Sequence, residues 1–296
     1  MSEIGSKTSA DLTVSTPVAD VTISNGGLGS LSSAGETIAV TAERKGGTVE
    51  LTITADGRTV GNVPGGVTLT VPAADTTPGT VAVLVREDGT WEVVRKSVVN
   101  GGNITIPLDG SAKLEIVDNS KYFADVPSTS LAADAVAFVS SRELFNGTGT
   151  NLFSPNLPMS RGMLAVVLYN LENNPEQAFS SVFTDVSGSE WYAKGVAWAV
   201  ANGIADGYGD GRFGPNDNIT REQLAVMLWR YAGSPAAAGK ELRFIDADYI
   251  GGYALDAVRW AVENGILNGY GDGQLDPKGL ATRAQVAQML KNYMNQ

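Results

Sequence analysis

The sequence predicts an α+β multidomain protein: an N-terminal antiparallel β-sandwich, then a mostly α-helical array of three repeats with pseudo-three-fold symmetry. Three observations predict it. About eight strand-like runs, parted by turn dipeptides, fill the stretch from Asp11 to Asn119. A unit of roughly sixty residues then recurs three times, and self-similarity at a fixed period has to be read before any local pattern. Each copy joins two apolar-patterned runs through a glycine-rich loop, and a period near sixty is long for a solenoid and fits two helices joined by an extended loop.

The chain opens on MSEIGSKTSA, with no basic segment followed by an apolar core, so no signal peptide is expected there. Residues 1–10 look instead like an added leader on an excised piece. Residues 11–119 alternate apolar and polar side chains in TVELTIT and VTLTV, the pattern of strands with one buried face. Strand-like runs lie at Leu12–Val14, Val21–Ile23, Thr37–Thr41, Thr48–Ile53, Val67–Val71, Val81–Val85, Trp91–Val94 and Leu114–Val117. Gly46-Gly47, Asp56-Gly57, Gly65-Gly66, Asp88-Gly89, Gly101-Gly102 and Asp109-Gly110 punctuate them, and Asp-Gly between alternating runs is a strong hairpin signal. Val85 to Trp91 is the clearest hairpin. Such density of short strands predicts a sandwich. Nothing in this half concentrates acids, bases or nucleophiles. The joint, Val117 to Lys121, has no Pro- or Ser-rich spacer, so the two halves are expected to be packed or stiffly coupled.

The repeats divide as 120–178, 179–240 and 241–296. Phe123, Phe183 and Phe244 open them at spacings of 60 and 61, each followed two residues on by Asp125, Asp185 or Asp246. Arg161, Arg221 and Arg283 recur at 60 and 62. In the second repeat the first helix is expected to carry Trp191, Val196, Trp198, Ala199 and Val200 and to end at Asn202-Gly203, where a left-handed residue suits the terminus. The second helix begins at Thr220, with Gln223 completing a capping box; Thr282 and Gln285 repeat the device. Ser160 can cap, but Met163 cannot complete the box. Leu224, Met227, Leu228 and Tyr231 fall on one face of that helix.

Composition narrows the function. The chain has 296 residues and a formal net charge of −11, which argues against nucleic acid, whose phosphates need a basic face. Cys is absent, removing disulfides and thiolate metal sites, and His is absent, removing the usual general base and the commonest transition-metal ligand. No apolar run is long enough to span a bilayer. Without His the common nucleophile triads cannot form, and no carboxylate pair stands out for glycoside hydrolysis, so no enzyme is expected. Asp206, Asp210, Gly211 and Asp217 fall at positions 1, 5, 6 and 12 of an EF-hand-like loop. Tyr208 and Gly214 displace two side-chain ligands, and the third repeat has Asn268 and Gly279 at the ends, so neither metal nor cofactor is expected.

The stretch FTDVSGSEWYAKGVAWAVANGIADGYGDGRFGPNDNITREQLAVMLWR resembles the S-layer homology domain almost from end to end, and the resemblance covers Lys121 to Gln296. Phe-x-Asp, an aromatic, Gly-Ile, Gly-Tyr-x-Asp-Gly and Thr-Arg before an apolar helix agree in order. The resemblance implies a non-covalent anchor on the outside of a bacterial cell wall, holding a secondary cell-wall polysaccharide with pyruvylated sugars in grooves between repeats. The longer precursor would be secreted. The alternative is an S-layer lattice or adhesin fragment whose repeats pack only against other surface-layer proteins.

A sugar carboxylate calls for a cation in a water-poor groove, an aromatic plane and polar groups for the hydroxyls. The resemblance makes Arg161, Arg221 and Arg283 ligand contacts; an arginine fork grips both carboxylate oxygens, and the first helical turn adds free amides and a favourable dipole. The other reading pairs each arginine with the repeat's aspartate to fix the loop. Asp125, Asp185 and Asp246 would accept hydrogen bonds from sugar groups or cap a turn. Trp191 and Tyr253 match the family's aromatic, where the first repeat has Leu131, and Trp191 is also readable as core. Gly207 with Tyr208, and Gly269 with Tyr270, match the glycine-tyrosine loop, as ligand backbone or as a tight turn; the first repeat reads Gly147 to Asn151 and lacks both Tyr and Asp-Gly. The groove between repeats two and three is then expected to be the intact one, with Arg221 or Arg283 outweighing Arg161.

Overall fold

A computed structural model describes residues 10–74 and 76–296. The expected leader, apart from Ala10, lies outside them. The chain divides into two compact units, Met1–Ser120 and Lys121–Gln296.

The first unit is the expected sandwich. One sheet orders β1 (Leu12–Ser15), β2 (Asp20–Ile23), β6 (Val67–Pro72), β10 (Asn103–Leu108) and β9 (Val98–Asn100). The other orders β3 (Ile38–Lys45), β4 (Thr48–Ala55), β11 (Ala112–Asp118), β7 (Thr80–Val85) and β8 (Trp91–Val93), with β5 (Arg58–Thr59) on β4. Every pairing among these strands is antiparallel. The strict alternation in β4 buries Val49, Leu51 and Ile53, which meet Val21, Leu69, Ile104 and Ile106 of the facing sheet in one core. Asp56-Gly57 and Gly101-Gly102 take positive φ at both positions, as the hairpins β4–β5 and β9–β10 require.

Two elements escape the sequence reading. NGGLGSLSSA is a helix, α1 (Asn25–Ala34), despite three glycines and three serines. Ser24 caps it by accepting from the Gly27 N–H at 3.0 Å, and Leu28 and Leu31 bury one face. Gly27 is required: a Cβ there would stand 2.9 Å from the Gly66 carbonyl oxygen. The strand β10 contains Pro107, which normally speaks against a central strand. β9 pairs only with Asn103–Thr105, so Pro107 sits where β10 is an edge.

The second unit holds three helix pairs: α2 (Ala133–Ser141) and α3 (Arg161–Leu171), α4 (Ala193–Ala201) and α5 (Arg221–Tyr231), α6 (Leu255–Glu263) and α7 (Arg283–Met294). Packing is swapped between repeats. α3 lies on α4, α5 on α6, and α7 returns to α2, closing a ring. At its centre three backbone hydrogen bonds run in a cycle: Met159 N–H to the Ala281 carbonyl at 2.9 Å, Ala281 N–H to Ile219 at 2.9 Å, and Ile219 N–H to Met159 at 2.8 Å. Val136, Leu164, Val196, Leu224, Val258 and Val286 share one buried cluster across all three repeats. Trp198 and Trp260 are core.

The helix starts follow the capping chemistry. Thr220 with Gln223, and Thr282 with Gln285, form complete capping boxes, while Ser160 accepts from Met163 N–H alone. The first helices end at left-handed Gly203 (φ 68°) and Gly265 (φ 65°), with Glu143 (φ 56°) in the first repeat. A Cβ at Gly203 meets nothing within 4 Å, so only backbone strain opposes a side chain there. Gly203→Ala is expected to cost about 1 kcal/mol, seen as a lower urea midpoint at unchanged slope.

Candidate functional site

Each repeat is tied to itself by its aspartate. Asp125 accepts from the N–H groups of Phe153 and Ser154 at 2.8 and 2.7 Å, Asp185 from Phe213 and Gly214 at 2.9 and 2.8 Å, and Asp246 from Leu275 and Asp276 at 2.8 and 2.7 Å. Burial disfavours the charge on Asp125 and Asp246, but the two loop amides outweigh it and hold both carboxyls below their ordinary value. Both oxygens are therefore committed to the loop some thirty residues on, not to a turn before the first helix.

The arginines cross to the next repeat. Arg161 donates from Nε to the Phe213 carbonyl at 3.0 Å and from Nη2 to Asp206 at 2.7 Å. Arg221 makes the same pair to Leu275 and Asn268, both at 2.8 Å, and Arg283 to Phe153 and Asn146 at 2.8 and 2.7 Å. One loop residue is thus held on both sides: its N–H by the aspartate of its own repeat, its C=O by the arginine of the previous one. Among the described residues no arginine of the three forms an ion pair with the repeat's aspartate. This corrects the expectation that such a pair fixes the loop.

The helix amides are also spoken for. Arg161, Arg221 and Arg283 N–H donate to the carbonyls of Asp217, Gly279 and Leu157, and the next N–H in each helix donates to Pro215, Pro277 or Pro155. The third amide goes to the capping hydroxyl. The free amides expected to bind an anion are consumed by the neighbouring loop, and what remains for a ligand is the guanidinium. Burial lowers all three arginines from their ordinary value, yet a guanidinium stays charged.

A cavity of about 410 Å³ opens at Arg161. Its wall is drawn from all three repeats: Arg161 from the first, Asp206, Gly207, Tyr208 and the α5 side chains Gln223, Met227 and Arg230 from the second, and Tyr253 from the third. Arg161 is 6% exposed, stacks 4.8 Å from the Tyr208 ring centroid, and has no carboxylate bonded to it among the described residues. Arg230 meets Asp206 at 2.6 Å on the same wall. The groove between repeats two and three is therefore lined, but its buried cation comes from repeat one. The ground for ranking Arg221 or Arg283 above Arg161 falls away, because each arginine works with the loop of the following repeat.

The same rotation places the other residues. Arg221 lies over Tyr270 at 4.8 Å, in the intact loop of repeat three. Arg283 reaches the worn loop of repeat one, over Phe145 and Phe153 at 5.2 and 4.6 Å. Trp191, 60% exposed beside buried Tyr192, and Tyr253, 62% exposed, present their rings to solvent and are not ordinary core. Leu131 is wholly exposed. Gly207 and Gly269 have a packing reason: a Cβ would strike Phe183 or Phe244 at 2.3 or 2.5 Å. Sequence reasoning missed Met227 and Arg230, which lie one and two helical turns beyond Gln223 on the cavity face of α5, a spacing that was legible. It missed Glu222 altogether.

Comparison with known proteins fits this geometry. The family model described as the S-layer homology domain matches residues 122–162, 182–225 and 243–287. The chain carries three S-layer homology domains. They correspond to the three cyclically packed repeats. The chain is similar to an S-layer protein of Bacillus anthracis, 26% identical over 65% of this chain and 24% of that protein. It is similar to a cellulosome-anchoring protein of Acetivibrio thermocellus, 23% identical over 57% of this chain and 38% of the relative. An amylopullulanase of Thermoanaerobacterium thermosulfurigenes is 29% identical over 78% of this chain and 13% of that enzyme. The chain thus spans well under half the length of each.

Proposed function

We propose that the three S-layer homology domains anchor a bacterial surface protein, non-covalently and without catalysis, by holding an acidic secondary cell-wall polysaccharide, pyruvylated in class, in the groove at Arg161. One observation carries the reading. A buried guanidinium with no carboxylate bonded to it, and with Asp206 and Asp217 acting on it only through space, lines an open cavity where the acid group of a ligand can bond it directly. Tyr208 and Tyr253 add flat faces for a sugar ring, and Gln223 adds polar reach for hydroxyls or acetamides. Similarity to an S-layer protein and a cellulosome-anchoring protein supports a place on the outer face of a bacterial cell.

The test is co-sedimentation with purified cell-wall polysaccharide, before and after chemical removal of its pyruvyl groups. Binding is expected to fall at least tenfold on removal, the loss of one charge-assisted contact. Binding that ignores the polysaccharide but captures other surface-layer proteins would favour a lattice or adhesin role. Polysaccharide binding indifferent to pyruvyl groups would move the anionic contact elsewhere on the polymer.

A further inference from the structure

Behind Tyr253, one of the residues lining the groove at Arg161, lies a carboxylate that neither its neighbours in sequence nor the other repeats explain. Glu222 occupies the second position of α5, where repeat one has Gly162 and repeat three has Ala284. At Gly162 a Cβ would stand 2.8 Å from the Pro215 carbonyl oxygen, so the repeats are not interchangeable here. Glu222 is 2% exposed. It accepts from the Gly251 N–H at 2.9 Å and the Tyr253 hydroxyl at 2.6 Å, and it pairs with Lys278. Gly251 gives the ring its seat, since a Cβ there would meet Tyr253 at 2.6 Å. Four groups therefore fix one exposed tyrosine: Gly251 beneath it, Lys278 5.9 Å from its centroid, Glu222 at its hydroxyl, and the short helical turn Gly252–Ala254 that carries it.

The consequence is chemical. A phenol has one proton to donate and lone pairs to accept with. Tyr253 spends its proton on Glu222, so toward the cavity its oxygen only accepts. Tyr208 lines the same cavity; burial raises its phenol, and Asp217 adds to that rise while Arg161 opposes it. Tyr270 is arranged the other way round. Gln285 takes the Thr282 N–H on its Oε1 and donates from Nε2 to the Tyr270 oxygen at 2.8 Å, which leaves the Tyr270 proton free.

Resting on the reading of this groove as a saccharide site, we propose that Glu222 is a positioning residue that makes the groove select anionic sugars bearing a free hydroxyl or amide N–H beside the acid group. Arg161 takes the anion, and the Tyr253 oxygen takes the neighbouring donor. A ligand whose only group within reach of that place is an ether or ester oxygen meets two lone pairs and is refused; in a pyruvyl ketal, whose own two oxygens are ethers, the donor is a free hydroxyl or acetamide N–H of the sugar ring.

Two probes test it by NMR titration of the full chain: the methyl glycoside of glucuronic acid, and the same molecule with its hydroxyls O-methylated. Wild type is expected to bind the hydroxyl form at least about tenfold more tightly. Glu222→Ala frees the Tyr253 proton and is expected to bring the ratio below about threefold. Ala284 shows that alanine fits this helix position, and Lys278 is half exposed, so its charge stays hydrated. A purely structural role for Glu222 would weaken both probes alike and leave the ratio unmoved, and that result overturns the proposal. So does a wild type that binds both equally, or neither. Arg161→Ala is expected to lose both probes. A wild type that discriminates here but ignores the cell-wall polysaccharide would sink the anchoring reading and keep the selectivity.

Discussion

Arg161→Ala is expected to weaken polysaccharide binding by roughly tenfold to a hundredfold, the value of a charge-assisted contact of about 1.5–3 kcal/mol. Arg283→Ala is expected to change it by less than about threefold. The three arginines supply their own control. Each donates from Nε and Nη2 to two backbone carbonyls of the next repeat, so each alanine variant orphans the same two acceptors and should lose a similar amount of stability. Only Arg161 combines that role with an intact tyrosine loop in the following repeat and an aromatic side chain, Tyr253, from the one after it. Arg221 has Tyr270 but Leu131 at the third place, and Arg283 lies over Phe145 and has Thr148 where the others have the loop tyrosine. Calorimetry on the three variants, with melting temperatures measured beside it, separates the effects. Equal losses of binding across all three would mean that the rings flanking Arg161 contribute nothing, and the greatest loss at Arg283 would move the site to the worn loop.

Much of this was legible in the chain. Thr220 with Gln223 and Thr282 with Gln285 announced two helix starts to the residue, because a capping box is a local device whose partners are three positions apart. TVELTIT and the Asp-Gly turns announced the sandwich for the same reason. What stayed hidden was set by contacts distant in sequence. α1 forms because Leu28 and Leu31 find a core, overriding a glycine- and serine-rich composition. The arginines were found at the right positions, but their partners were not, since 45 and 52 residues separate Arg161 from the carbonyls it grips. Periodicity reveals what recurs within a repeat and is silent about which neighbour a side chain crosses to. Glu222 was passed over because it breaks the repeat, and such a break carries no meaning until the facing Tyr253 and Lys278 are placed.

Removing Thr282–Gln296 is expected to abolish cooperative folding of all three S-layer homology domains, including the two that remain whole in sequence. An open repeat array would tolerate the loss, because each unit there leans only on its neighbours. This ring does not have that freedom. α7 covers α2 of the first repeat, and with it go the buried side chains Val286, Met289 and Leu290, worth about 1.5–3 kcal/mol each. Arg283 goes too, leaving the Phe153 and Asn146 carbonyls without their donor. The sum approaches the whole stability of an ordinary domain, about 5–15 kcal/mol. The core has no seam at which to stop the damage: Trp198 of repeat two packs with Tyr231, Tyr231 with Tyr293 of α7, and Tyr293 with Trp260 of repeat three. Near-ultraviolet circular dichroism reads those rings directly. The truncated chain is expected to lose that signal and its sharp thermal transition, and Leu290→Ala is expected to lower the transition of the full chain by about 2–5 kcal/mol in stability while keeping it single. A truncated chain that kept a sharp near-ultraviolet melt would show that repeats one and two fold without the closing helix, and the cyclic hydrogen bonds of Met159, Ile219 and Ala281 would then be a consequence of the fold and not a condition for it.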